Sequence, residues 1–301
     1  MNFKRLKAGL MLMIAALVWG AAMSFQSEAM DKGVGPLTFQ TVRFLLGGTV
    51  LLPAVFLLGK KDPGEGKEGY NPKGVFLGGA VCGVFLMLAC TLQQFGIIYT
   101  TVGKAGFLTS LYIIIIPIFG VFLGKKLGLR IWASVALAMV GMYLLCMKES
   151  LVLSTGDTLV LICAFVFTFQ IMAVDKYAAV YNALKLSCIQ FYVCGLLTAI
   201  VMVIFEKPTL SSILSAWGPI LYTGAMSCGI GYTFQTIAQK DLQPAVASII
   251  MSLESVFAAL FGWILLGQKM SVREILGCVI MFAAIILAQL FDQEEKEGKK
   301  T

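Results

Sequence analysis

Ten apolar stretches, at 8–28, 36–58, 74–98, 104–123, 129–147, 157–175, 184–205, 217–238, 244–266 and 273–291, account for most of the 301 residues, and each is 19 to 25 residues long. A helix needs about 20 such residues to cross a bilayer core, whereas buried helices of soluble domains give shorter runs. Apolar residues make up 59% of the chain and charged residues 13%. A soluble globular domain carries about 45–50% and 25%. No connecting segment is long enough to be a domain. The longest, 59–73, contains Pro63, Gly64, Gly66 and Gly69. An all-α membrane protein with ten transmembrane helices is expected, followed by a charged, disordered cytoplasmic tail at 292–301.

The second constraint is an internal repeat. Leu123–Arg130 reads LGKKLGLR, and Leu266–Arg273 reads LGQKMSVR. Phe25-Gln26 returns as Phe169-Gln170, and Thr91-x-Gln93 returns as Thr233-x-Gln235. The offsets of 144, 142 and 143 stay nearly constant along each half. The first unit is read as 1–147 and the second as 157–291. Each holds five spans, and five is odd, so the second copy is expected to enter the membrane from the opposite side. Inverted repeats of this kind are a common transporter construction. The first run follows Lys4, Arg5 and Lys7 as a signal peptide would. Its distal end pairs with span six, however, which a cleaved leader would not be expected to do.

Lys and Arg set the orientation. With the N-terminus inside, the inner segments hold 16 of them and the outer loops 6, Arg43 being the remaining one. The positive-inside rule then places both termini in the cytoplasm and the chain in the cytoplasmic membrane. The net charge of +7 follows from this bias, so no nucleic-acid partner is needed to explain it. All eight cysteines lie within the apolar runs, where they read as small packing residues. There is no histidine, which removes imidazole metal ligation, histidine acid–base chemistry and the zinc-protease motif. No nucleotide-binding P-loop is found. No catalytic residue, metal or cofactor is therefore expected.

The segment TTVGKAGFLTSLYIIIIPIFGVFLGKKLGLRIWASVALAMVGMYLL (100–145) resembles the ten-span EamA family of the drug/metabolite transporter superfamily. The marks are a small-residue stretch, Pro117 late in span four, the Leu-Gly turn, and a fifth span closing with Gly141. Trp19-Gly20 in span one fits as well. The resemblance covers two EamA units, about 8–147 and 157–291. It implies export or exchange of amino acids, other metabolites or amphipathic drugs. It also implies a central cavity lined by the first four spans of each repeat, with spans five and ten peripheral. Family members often carry Glu after the Leu-Gly turn, where this chain has Lys125 and Gln268. No coupling role is carried over to those two positions.

Arg43 and Glu254 are the two charges well inside spans. A charge at the membrane centre costs about 2.5–3.5 kcal/mol on insertion scales, so each should face a cavity or a partner. Counted from opposite faces, both reach a similar depth. Arg43 is read as an anchor for a carboxylate or phosphate, or as the partner of Glu254 or Glu28. Glu254 is read as a proton-coupling or charge-pairing group, and Glu28 at the outer end of span one as a weaker candidate for the same role. Gln26, Gln40, Gln93, Gln170, Gln190 and Gln235 place amides where lipid offers no hydrogen bond. Gln26 matches Gln170, Gln93 matches Gln235, and Arg43-Phe44 matches Gln190-Phe191. Such matched polar positions suit a central substrate site. Trp19, Tyr112 and Tyr232 add aromatic surface. Pro117 is expected to kink span four.

The expected protein is a secondary-active exporter of a small polar or amphipathic, amino-acid-like metabolite, working by alternating access. The alternative is a multidrug exporter of hydrophobic cations using Glu254 and aromatic faces. Its partners would be the substrate, the lipid bilayer, a coupling proton, and a second copy of the chain if it dimerises.

Overall fold

The computed structural model describes residues 3–59, 61–67, 70–100, 102–124, 127–146, 153–266 and 270–297. Lys125 and Gln268 lie outside them. Among the described residues every regular element is helical. The first half contributes α1 (Phe3–Asp31), α2 (Pro36–Leu58), α3 (Gly74–Tyr99), α4 (Val102–Thr109), α5 (Tyr112–Phe122) and α6 (Leu129–Cys146). The second contributes α7 (Thr155–Ala178), α8 (Ala183–Phe205), the short α9 (Leu210–Ser215) and α10 (Trp217–Leu221). It continues with a π-helix (Tyr222–Tyr232), α11 (Thr233–Ala238), α12 (Pro244–Met251), α13 (Glu254–Leu266) and α14 (Val272–Glu297). Among the described residues, eight helices are long and apolar enough to cross a membrane, counting Lys104–Phe122 and Pro244–Phe261 as one each. The runs 217–238 and 273–291 are helical too, the first divided among α10, the π-helix and α11. The last helix continues through Glu297, into the segment expected to be a disordered tail.

Burial differs from a soluble protein's at the surface and in the amides it encloses. Phe56, Leu57, Phe76, Phe122, Val203, Phe205 and Val279 are exposed, while Gln40, Gln94, Gln170 and Gln190 are fully buried. Large exposed apolar surface around an apolar core that also holds these amides is the pattern lipid favours. The eight cysteines are free, and all but the half-buried Cys146 are buried, in keeping with a packing role.

The helices pair in an exchange-symmetric way. α2 packs along α8, and α6 along α14. α3 packs on α7 and α8, while the π-helix packs on α1 and α2. α4 and α5 pack on α7, while α12 and α13 pack on α1. Exchanging each helix of one half for its counterpart in the other returns each of these contacts.

Sequence signals account for most of the boundaries. α1 ends in a turn where Gly33 takes φ +79° and the amide of Val34 donates to the carbonyl of Ala29 at 3.2 Å, a glycine-terminated helix end. α2 then opens with Pro36, whose missing N–H costs nothing in a first turn. α7 opens with a capping box between Ser154 and Asp157. Spans four and nine each read as one apolar run, with a kink expected in span four at Pro117. They break instead between α4 and α5 at Ser110-Leu111 and between α12 and α13 at Ser252-Leu253. Pro117, expected to kink span four, sits within α5 beyond the break. Proline is not the common cause, because the second break has none. There, Ser248 and Ser252 hydroxyls donate to the carbonyls of Ala245 and Ile249 at 2.8 and 2.7 Å. Such bonds compete with the helical ladder and bend helices. Both turns tighten to bonds three residues apart, Leu111 to Leu108 and Leu253 to Ile250.

The segment after α2 is tied to the start of α8 by Asp62. Its carboxylate accepts from Tyr70 Oη at 2.5 Å, the Asn182 amide at 3.1 Å and Lys185 Nζ at 3.2 Å. Burial alone would push the Asp62 carboxyl up, but the hydrogen bonds from Tyr70, Asn182 and Lys185 outweigh it and hold the group below the ordinary range. The same contact pushes the Tyr70 hydroxyl up to about 12, so Tyr70 remains a donor. A carboxyl with a lowered folded value contributes stability that is complete above its unfolded value, about 3.9, and is lost as pH falls through the folded one. Asp62→Asn is therefore expected to melt lower than wild type at neutral pH, and the gap to close as pH falls below about 4. A gap that does not change with pH in detergent melting curves would contradict this account.

Candidate functional site

A cavity of about 520 Å³, counting the space it shares with solvent, lies where the two halves meet. α1 supplies Trp19, Ala22, Met23 and Gln26, α2 supplies Arg43, and α3 supplies Gln93. Thr109 and Tyr112 flank the first helix break, and Met251 and Glu254 flank the second. Phe167, Gln170 and Ile171 come from α7, Ser227 and Tyr232 from the π-helix, and Gln235 from α11. Every early span contributes except α8.

The lining is repeat-matched. Gln26 and Gln170 stand 144 apart, as do Met23 and Phe167, while Gln93 and Gln235, Thr109 and Met251, and Tyr112 and Glu254 stand 142 apart. The last pair was not recognised from sequence. The shared Ser-Leu of the two breaks, at that same offset of 142, was the signal that would have revealed it. Thr109, Ser227, Met23, Phe167 and Met251 were also missed, because their side chains are ordinary for apolar helices.

Arg43 is 3% exposed. Its Nη1 donates to Gln26 Oε1 at 2.9 Å, and its Nε is buried without a hydrogen-bond partner. Its Cζ lies 4.9 Å from the Phe44 ring centroid and 5.4 Å from that of Phe39, so two rings hold the guanidinium in place. Glu254 is 7% exposed and accepts from Ser110 Oγ at 3.4 Å. Ser110 Oγ also lies 3.4 Å from Ser255 Oγ. Among the described residues no ion pair joins Arg43 to Glu254 or to Glu28. Glu28 instead pairs with Lys32 at 2.6 Å on the surface, both nearly half exposed, and lines no part of the cavity. The cavity thus holds a cation and a carboxylate that do not neutralise each other directly.

The glutamines divide into lining and supporting groups. Gln235 Nε2 donates to Gln170 Oε1 at 3.3 Å, and Gln170 Nε2 donates to Gln190 Oε1 at 3.4 Å. Gln190 therefore stands behind the wall, where it orients Gln170. Gln40 also lies behind the wall, donating to Thr91 Oγ1 at 2.9 Å and the Met87 carbonyl at 3.2 Å. Both had been expected to line the cavity. They are fully buried because α2 and α8 pack against each other and turn these faces inward. Gln93 donates to Thr109 Oγ1 at 3.1 Å.

Trp19 and Tyr232 form the aromatic wall, with ring centroids 4.9 Å apart. The indole N–H of Trp19 donates to the Ser227 carbonyl at 3.3 Å. That carbonyl belongs to the π-helix, an element frequent at functional sites. The matching stretch of α3 is regular α-helix.

Comparison with known proteins places this architecture. The sequence matches the EamA-like transporter family twice, over residues 6–147 and 154–290. The chain belongs to the EamA-like transporter family. It is therefore a multi-pass membrane protein of a transporter family, within the drug/metabolite transporter superfamily. An uncharacterized transporter of Archaeoglobus fulgidus is 29% identical over 288 residues, covering 95% of this chain and 87% of the relative. An uncharacterized transporter of Clostridium kluyveri is 23% identical over 292 residues, covering 92% and 90%. A protein known by its crystal structure shares the fold at 18% identity, with a TM-score of 0.77 over 95% of this chain and 98% of its own.

Proposed function

We propose that this EamA protein is a secondary-active exporter of a small, amino-acid-like metabolite bearing a carboxylate. It works by alternating access of two inverted five-span repeats in the cytoplasmic membrane, with both termini inside. The observation that carries the reading is a cavity between the two halves lined by repeat-matched residues and by Arg43, whose Nε is buried without a hydrogen-bond partner. The exchange-symmetric helix contacts support ten spans arranged about an in-plane axis. The guanidinium offers a planar donor set suited to a carboxylate, and Gln26, Gln93, Gln170 and Gln235 offer amides to the rest of a polar solute. Glu254 serves a substrate ammonium or a coupling proton. Export is taken from the family resemblance.

The test is thermal stabilisation of the purified protein by a library of amino acids, organic acids and lipophilic cations. A ligand present at 100 times its Kd stabilises the folded state by about 2.7 kcal/mol, a readable shift. A hydrophobic-cation exporter is the second reading, favoured by the unpaired Glu254 in a cavity that also holds Trp19 and Tyr232. Glu254→Gln separates the two. Under the metabolite reading, the variant keeps its response to a ligand that carries only a carboxylate. A cation that stabilises the wild type and has no effect on Glu254→Gln would establish the second reading instead.

A further inference from the structure

Two carboxylates outside the cavity occupy equivalent places in the repeat. Asp62 follows α2, and Glu206 follows α8, 144 residues later, the same offset that relates Gln26 to Gln170. Each holds the start of the helix that the other follows. Glu206 accepts from the amides of Leu37 and Thr38, both at 2.8 Å, and from Thr38 Oγ1 at 2.6 Å. Those amides belong to the first turn of α2, which has no side-chain cap of its own. Asp62 accepts from the amide of Asn182, whose own side chain caps α8 at the Leu184 and Lys185 amides, and from the Lys185 side-chain ammonium. Carboxylates at helix N-termini meet both the free amides and the positive end of the helix dipole. The end of α2 thus holds the capping residue of α8, and the end of α8 caps the start of α2. The two helices are antiparallel, and their caps lie at opposite ends.

Between the caps the pair is closely interlocked. A Cβ on Gly195 would lie 2.9 Å from the side chain of Leu45, and one on Gly48 3.1 Å from the Tyr192 ring. Packing this tight favours discrete arrangements over gradual sliding. The ladder is instead interrupted at 110–111 and 252–253, both beside the cavity. Hinges are typically a few residues at element ends that absorb the change in backbone angles.

We propose that α2 and α8 form a fixed antiparallel pair, locked at both ends by the repeat-matched carboxylates Asp62 and Glu206, about which the discontinuous helices α4–α5 and α12–α13 move to open the cavity. The proposal rests on the alternating-access reading above. It assigns Asp62 and Glu206 as positioning residues and distinguishes them from gate latches, which would have to break on one face at each opening.

The experiment uses the full chain in sealed vesicles, with Thr109→Cys as a reporter of cavity opening and a membrane-impermeant maleimide added from either side. The buried native cysteines give the background. A short bifunctional methanethiosulfonate then ties α2 to α8 at one end through Thr38→Cys with Glu206→Cys, or at the other through Asp62→Cys with Lys185→Cys. A fixed pair predicts labelling from both sides, with rates within about twofold of the untethered reporter for either tether. A tether that lowers labelling from its own face by tenfold or more would make the carboxylates latches and overturn the proposal. Labelling of the untethered reporter from one face only would remove alternating access itself, and the fixed pair with it. Hydrogen exchange of the unmodified protein provides a check independent of these variants. The amides at 37–39 and 182–186 are expected to exchange at least tenfold more slowly than those at 110–114 and 252–256, and equal rates would also overturn the proposal.

Discussion

Arg43→Ala is expected to abolish stabilisation by any carboxylate that stabilises the wild-type protein. The guanidinium is buried, holds Gln26 by one hydrogen bond, and keeps Nε without a protein partner. Truncating one member of a buried, hydrogen-bonded charge pair costs about 2–5 kcal/mol, which is about 30-fold to several thousand-fold in affinity. Lysine is not expected to rescue, because a point charge on a flexible stem cannot reproduce the planar fork held between Phe39 and Phe44. Arg43→Ala should itself remain folded, since it leaves no opposite charge stranded against it within ion-pair distance. Melting curves with and without the ligand separate the two effects. An Arg43→Ala protein that responds to the same carboxylate with wild-type affinity would refute the anchoring role.

Gly20→Val is expected to be the most damaging single change to the fold near the site. A Cβ at Gly20 would stand 2.7 Å from Phe257 Cβ, 2.8 Å from the Ala258 amide nitrogen and 2.8 Å from the Glu254 carbonyl oxygen. Two of those three atoms are backbone, so no rotamer change relieves the overlap. α1 and α13 must separate, and Glu254 must move with α13. Overpacking of this kind typically costs about 1–3 kcal/mol, and the branched valine adds to the separation that alanine already forces. Gly20→Ala should melt measurably below wild type, and Gly20→Val lower still, with poor recovery of folded protein. Wild-type melting of Gly20→Ala would show that the two helices have room that their close approach denies.

The glycine was noticed in sequence only as part of Trp19-Gly20, a family mark. Its role depends on a helix more than 230 residues away, and no local pattern reports that contact. The same limit separates Arg43 from Glu28. Both are charges in or beside apolar runs, but Glu28 finds Lys32 one turn along its own helix, whereas Arg43 faces inward on α2. Depth along a span can be read from residue position, while the direction a side chain faces is set by the neighbouring helices.

Length and hydrophobicity of the runs, with the requirement that lipid leave no backbone group unpaired, were sufficient for the all-helical membrane architecture. The repeat was sufficient to pair Gln26 with Gln170 and Gln93 with Gln235, all four of which line the cavity. Buried amides and charges are costly in lipid, so their presence marked the cavity in advance. Tertiary structure alone decided that Gln40 and Gln190 support the wall, that Arg43 and Glu254 stay apart, and that span eight widens into a π-helix on one side of an otherwise matched site. It also decided where the two helices break and which carboxylates hold which helix ends. Each of these depends on competition between local hydrogen bonds and contacts from the opposite half of the chain, and such contacts exist only once the two repeats have packed.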